Sequence, residues 1–221
     1  MPLRVTMGED RCEKGILLIA IIDYGVGNLH SVAKAFVNHG FEAEIISDPS
    51  SVQSASGVVL PGDGAFGAVM DHLRDTGLAN PVLDAVHAGT PFLGICVGYQ
   101  MMFDSSEESP GVPGLGLVPG TVRRFPGGPG RKVPHMGWNS LHRIAAISLL
   151  AEVREGDSVY FVHSFYPCPD EETGGAAWTE YGPWFPAVYC RDNLMATQFH
   201  PEKSGKVGLG IVRAFGRICQ C

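Results

Sequence analysis

The stretch Ile16-Leu17-Leu18-Ile19-Ala20-Ile21-Ile22 contains no polar residue. A strand with one face in water alternates apolar and polar side chains. An unbroken apolar run this short reads instead as a strand covered on both faces, and it is far too short to span a bilayer. Gly25-Val26-Gly27-Asn28 then turns the chain. Leu29, Val32, Ala33, Phe36 and Val37 recur at helical spacing, with Gly40 as the stop. Residues 41–46 and 57–60 read as a second and a third strand. Phe66, Val69, Met70 and Leu73 mark another amphipathic helix, and a further helix precedes Gly89. A strand over 91–95 follows. Strands alternating with helices predict a parallel sheet with helices packed against it.

The texture changes after residue 105. Pro and Gly crowd residues 110–130, which read as loops. Short strand-like runs follow at 158–163, 187–191 and 194–199. This half is expected to be more antiparallel. A closing helix from about residue 203 carries Val207, Ile211, Ala214 and Ile218 on one side. The fold class expected is therefore α/β, a single domain with a central, mostly parallel sheet flanked by helices and an antiparallel extension. At 221 residues, 45% of them hydrophobic, the chain suffices for one full core. Residues 1–14 are polar and aperiodic and read as a flexible extension, with the domain proper over 15–221.

A formal net charge of −7, with no basic cluster longer than two residues, argues against nucleic-acid or anionic-membrane binding. Six cysteines (12, 96, 168, 190, 219 and 221) form no C-x-x-C pair and no zinc spacing. Reduced thiols and a cytoplasmic protein are expected. Cys12, Cys219 and Cys221, near the ends, read as bystanders. The apolar run at 16–22 also mimics a secretory signal core, but Glu9, Asp10 and Glu13 spoil its positive start and Asp23 ends it.

Gly94-Ile95-Cys96-Val97-Gly98 directly follows the last strand of the first half. A nucleophile between two glycines at this spacing belongs on a sharp strand-to-helix turn, as in the serine pattern G-x-S-x-G. The alternative for Cys96 is a small buried hydrophobe. A cysteine nucleophile acts as its thiolate and needs a base. His200 is the candidate base, and Glu202 the carboxylate that holds its imidazole, with Pro201 fixing one torsion between them. A helix starting near Val97 would favour the anion. The backbone N–H of Val97 and the loop Pro61-Gly62-Asp63-Gly64 are candidates for an oxyanion hole, through Gly62 and Asp63. A His-x-Glu metal site with His163 has no third ligand at characteristic spacing, so no metal and no cofactor are expected.

These residues together resemble the class I, cysteine-triad glutamine amidotransferases. The match rests on residues 94–100, on Phe199-His200-Pro201-Glu202-Lys203-Ser204, and on Leu60-Pro61-Gly62. Residues 22–29, Pro134-His135-Met136-Gly137-Trp138-Asn139 and Tyr160-Phe161-Val162-His163-Ser164 are similar to the branch that serves as glutaminase subunits of imidazole glycerol phosphate synthases. The resemblance implies hydrolysis of L-glutamine to glutamate and ammonia through a Cys96 thioester. The ammonia would pass to a (β/α)8-barrel cyclase subunit in a heterodimer, for histidine biosynthesis. It implies that Gln100, His163, Ser164 and Phe165 hold glutamine. It also implies that Gly25, Gly27, Asn28, Met136, Trp138 and Lys203 face the partner, where a tryptophan anchor suits an interface. Asp63 stands where that family usually has valine, and its carboxylate is expected to point away from the oxyanion. The other readings are a glutaminase subunit of a different synthase, and a noncatalytic binding protein on the same fold.

Overall fold

The computed structural model describes residues 17–128, 131–171 and 174–221, so the expected 1–14 extension lies outside the described residues. The chain runs β1 (Leu18–Ile22), α1 (Leu29–Val37), β2 (Glu42–Ile46), α2 (Pro49–Val52), β3 (Gly57–Gly62), α3 (Phe66–Asp75), α4 (Ala79–His87) and β4 (Phe92–Cys96). It continues through α5 (Val97–Gln100), β5 (Phe103–Ser106), β6 (Val118–Arg124), β7 (His135–Ser140), β8 (Ser158–His163) and β9 (Phe165–Pro169). It ends with β10 (Gly175–Glu180), β11 (Trp184–Arg191), β12 (Leu194–Thr197) and α6 (Gly205–Ile218).

Among the described residues, seven strands form one sheet in the order β10-β11-β12-β4-β3-β1-β2. The pairs β1–β2, β1–β3, β3–β4 and β4–β12 are parallel, and β10–β11–β12 is the antiparallel extension. The central strands β3 and β4 are buried at every position, as continuous apolar runs require. Two smaller sheets, β5–β6–β9 and β7–β8, lie beside this one.

Local chemistry sets the helix starts. The Asn28 side chain accepts from Ser31 N at the head of α1. Asp48 accepts from Ser50 N, with Pro49 in the first turn of α2. Helix α3 has no side-chain cap of its own; Glu108 and Ser109, from the turn after β5, accept from the N–H groups of Phe66 and Gly67 at 2.7 and 2.9 Å. Its Phe66, Val69, Met70 and Leu73 are all buried. Phe36 of α1 meets Phe215 of α6 edge-on, at 6.0 Å between ring centroids.

Two readings are corrected. The Gly-Pro-rich span 110–130 is not all loop, because β6 occupies Val118–Arg124. Val118, Gly120 and Val122 alternate inward there, a period of two that the flanking prolines and glycines obscure. The second half holds the antiparallel pairings, as expected, and β12 re-enters the main sheet parallel to β4. The closing helix buries Gly208, Gly210, Ile211, Val212, Phe215 and Gly216, so only Ile211 of the expected stripe lies fully inside. Glycine carries no hydrophobic signal, which hides that face. Cys219, near the chain end, is buried and packs against Gly57.

Candidate active site

Parallel strands place all their carboxyl ends on one edge of the sheet, where open α/β folds keep their sites. Gly62 of β3 stands in register with Cys96 of β4, and Thr197 of β12 with Ile95. The residues that continue past these ends therefore converge: Asp23–Asn28 from β1, Asp63 from β3, the elbow at Cys96, and Gln198 and His200 from β12. Sites separated by a hundred positions in sequence become neighbours through strand register alone.

The elbow is built by close packing. A Cβ on Gly98 would overlap the carbonyl oxygen of Leu60, and one on Gly94 would lie 2.9 Å from the Gly98 carbonyl oxygen. Only glycine lets the turn press so closely on β3. Cys96 itself has φ 56°, a left-handed backbone on a residue with a side chain. Helix α5 is a single turn, so a long helix dipole is not what acts on the sulfur.

The structure brings Cys96, His200 and Glu202 together. His200 Nδ1 lies 3.0 Å from Glu202 Oε1, and the Cys96 side chain is the ring's other ionisable neighbour. Burial alone would lower the His200 pKa. The hydrogen bonds to Cys96 and Glu202, with their charges, reverse that and raise it from 6.5 to about 10. The imidazolium is thus favoured between the Cys96 sulfur and the Glu202 side chain. The second Glu202 oxygen is buried and has no hydrogen-bond partner among the described residues, so this carboxylate depends on His200. The backbone of His200 is anchored as well: Ser204 Oγ donates to its carbonyl at 2.6 Å and accepts from Tyr160 N at 3.0 Å.

Gly62 and Asp63 line a small space together with Asn28, His200 and Glu202. Asp63 is solvent-exposed. Two neighbours were given no role by the sequence. Tyr24 is buried, and its hydroxyl donates to the Pro61 carbonyl at 2.6 Å, fixing the peptide that leads into Gly62. Burial, then the charges of Cys96 and Asp63, hold the Tyr24 phenol well above its ordinary pKa, so it is a permanent donor. Gln198 Nε2 lies 3.8 Å from Cys96 Sγ, and its Oε1 accepts from Gln100 Nε2 at 3.0 Å. A buried polar residue inside an apolar strand end was the available clue to Gln198. Tyr24 gave none, because a tyrosine after a strand is common.

Gln100 is buried and also donates to the Phe165 carbonyl at 3.0 Å. His163 is buried, and its Nδ1 lies 2.7 Å from the same carbonyl. Ser164 accepts at its carbonyl from Phe125 N at 3.1 Å. Gln100 and the segment 163–165 therefore form one connected patch. Of the residues expected at a partner surface, Gly25, Gly27, Asn28 and Lys203 are exposed, while Met136 and Trp138 are 63% and 60% exposed. Among the described residues no His, Cys, Asp and Glu cluster could hold a metal ion. No helix there is long and apolar enough to cross a membrane.

Residues 20–215 match the family described as glutamine amidotransferase class-I. A solved structure of a glutamine amidotransferase from Thermotoga maritima superposes with a TM-score of 0.66 at 16% identity, over 94% of this chain and 100% of that one, and shares the fold. The chain belongs to the class I glutamine amidotransferase family and is an enzyme of that class. Within the family it is similar to the imidazole glycerol phosphate synthase subunit HisH. It is 50% identical to that of Geobacter sulfurreducens over 90% of this chain and 98% of the relative. It is likewise 50% identical to that of Methanothermobacter thermautotrophicus, over 91% and 98%.

Proposed function

We propose that the chain is the glutaminase subunit of an imidazole glycerol phosphate synthase. The observation that carries the chemistry is His200, tied to Glu202 on one side and to Cys96 on the other, at the carboxyl edge of the sheet. In this reading the Cys96 thiolate attacks the side-chain amide carbon of L-glutamine. The carbonyl π bond opens to an oxyanion, received by the backbone N–H of Val97 and by those of Gly62 and Asp63. The tetrahedral intermediate collapses as its C–N bond breaks. His200 gives its proton to the departing nitrogen, and ammonia leaves a glutamyl thioester. Water then loses a proton to His200 and attacks the thioester, and the C–S bond breaks to release glutamate and regenerate the pair.

Gln100, His163, Ser164 and Phe165 hold the substrate. Gly25, Gly27, Asn28, Met136, Trp138 and Lys203 face the (β/α)8-barrel cyclase, to which the ammonia passes. The exposed Met136 and Trp138 support that surface, because aromatic and methionine side chains are enriched at interfaces. The five described cysteines are unpaired, in keeping with a cytoplasmic enzyme. Isolated chain is expected to hydrolyse glutamine slowly and to be stimulated when the cyclase binds its own ligand. Ammonia release with and without partner tests this; equal rates sink the coupling. Cys96→Ala should abolish hydrolysis with an unchanged circular dichroism spectrum, and retained hydrolysis removes Cys96 from its role.

A further inference from the structure

Two buried histidines that take no part in the proton transfers form a chain of hydrogen bonds. Asn139 Nδ2 lies 3.3 Å from His135 Nε2, His135 Nδ1 lies 3.0 Å from His163 Nε2, and His163 Nδ1 lies 2.7 Å from the Phe165 carbonyl. The direction of this chain is forced from both ends. At one end the Asn139 amide is oriented by other partners, since its Oδ1 accepts from Ser140 N at 2.8 Å and its Nδ2 donates to the Glu180 carbonyl at 3.0 Å. Its Nδ2 therefore donates to His135, whose Nε2 accepts. At the other end the Phe165 carbonyl can only accept, so His163 Nδ1 carries the proton. With each ring neutral, His135 Nδ1 must donate to His163 Nε2. The two ends agree on a single arrangement, with both rings protonated at Nδ1.

Packing holds the rings in that register. His135 is stacked between Phe161 and Tyr181, with centroids at 4.7 and 3.9 Å. His163 meets Phe125 edge-on at 5.1 Å. Burial lowers the pKa of His135 to about 4 and, with the charges of His135 and His200, that of His163 to about 3, against the opposing pull of the Phe165 carbonyl. Neither ring is positioned to supply charge to the reaction. What the chain does is run from Asn139, beside the exposed Met136 and Trp138, to the carbonyl that Gln100 also grips.

We infer that His135 and His163 are positioning residues: a one-way hydrogen-bond relay from the Met136–Trp138 rim that sets the backbone of residues 163–165 for glutamine. The inference rests on the reading that this segment holds the substrate. A partner seated on Met136 and Trp138 lies one position from both His135 and Asn139, so docking and substrate grip share one string of contacts. Because the relay acts on the segment that binds and not on the proton transfers, its loss weakens binding.

Two variants break the relay without opening the core. His135→Phe keeps a ring between Phe161 and Tyr181, and Asn139→Ala cuts the half-exposed end. In glutamine hydrolysis by the complex with the cyclase, loss of one ordinary neutral hydrogen bond predicts a KM raised roughly five- to tenfold, with kcat changed less than about twofold. The double variant should match His135→Phe alone, because one break suffices. Nitrogen-15 NMR of the wild-type chain at pH 7 should show both imidazoles neutral and protonated at Nδ1. Protonation at Nε2 in either ring overturns the relay. So does an unchanged KM in both variants while the wild type hydrolyses glutamine. Absence of hydrolysis by the wild-type complex refutes the glutaminase reading, and this role falls with it, even where the tautomers are as expected.

Discussion

Replacing Cys96 by glycine should leave a more stable protein than replacing it by alanine. Cys96 has φ 56° and ψ −110°, outside the regions that residues with a Cβ occupy freely. Holding such a residue there stores roughly 1–3 kcal/mol of strain. Glycine removes that strain but gives the unfolded chain extra freedom worth roughly 0.5–1 kcal/mol. The difference predicts Cys96→Gly above Cys96→Ala by about 1 kcal/mol. For a chain of this size that corresponds to a melting temperature higher by roughly 2–4 °C. Both variants lose the sulfur, so any change at His200 is common to them and cancels. Urea unfolding of the two proteins at pH 7 measures the gap. As a control, Ala43→Gly in β2, where no positive φ is required, should destabilise by roughly 0.5–1 kcal/mol. If Cys96→Ala proves equal to or more stable than Cys96→Gly, the elbow is not strained and the account of how the sheet presents this thiol is wrong.

Gly98→Ala drives a Cβ into the Leu60 carbonyl, backbone against backbone, and should lower stability by roughly 2–3 kcal/mol or more; an unchanged urea midpoint refutes the packing. Tyr24→Phe leaves the Pro61 carbonyl without its donor and should destabilise by about 1 kcal/mol, with kcat falling more than KM rises; equal kcat detaches Tyr24 from the proposed oxyanion loop. Glu202→Gln removes one of the groups that raise His200, so the pKa read by NMR titration should fall from about 10 toward the ordinary 6.5. In the wild type the folded value lies above the ordinary one. The stabilisation is therefore complete below pH 6.5 and lost as pH rises through about 10, a decline that His200→Asn should flatten. His135 behaves oppositely, its folded pKa of about 4 lying below 6.5. Stability is retained above pH 6.5 and lost as pH falls toward 4, and His135→Phe should reduce that acid loss.

Much of this architecture is legible in the sequence because it is written in periods. The run at 18–22, the helical stripe of Phe66, Val69, Met70 and Leu73, and the glycines around Cys96 each follow from local rules. What escapes is whatever depends on partners distant in the chain. Strand β6 hides among prolines because its inward residues matter only once β5 and β9 flank it. The parallel return of β12 to β4 is a matter of register, with no local mark. The buried face of α6 is invisible because its glycines are small for the sake of neighbours, Phe41 against Gly216 and the Pro201 carbonyl against Gly208. Among site residues, those with unusual local chemistry stood out. Tyr24, which acts through one distant carbonyl, did not.

Three imidazoles share this site, and burial lowers the pKa of each of them. Burial therefore cannot explain why His200 ends near 10 while His135 and His163 end near 4 and 3. Partner chemistry decides. His200 has a thiol on one side and a carboxylate on the other, both able to bear negative charge. His163 has a carbonyl and a second imidazole, and His135 has that imidazole and an amide; each ring gives one proton and receives one. A neutral ring fits such a chain and a charged ring breaks it, because imidazolium has no lone pair to accept with. In the proposed mechanism the fold thus divides one residue type between two tasks through the neighbours it supplies: moving a proton at His200, and carrying a fixed direction of hydrogen bonding at His135 and His163.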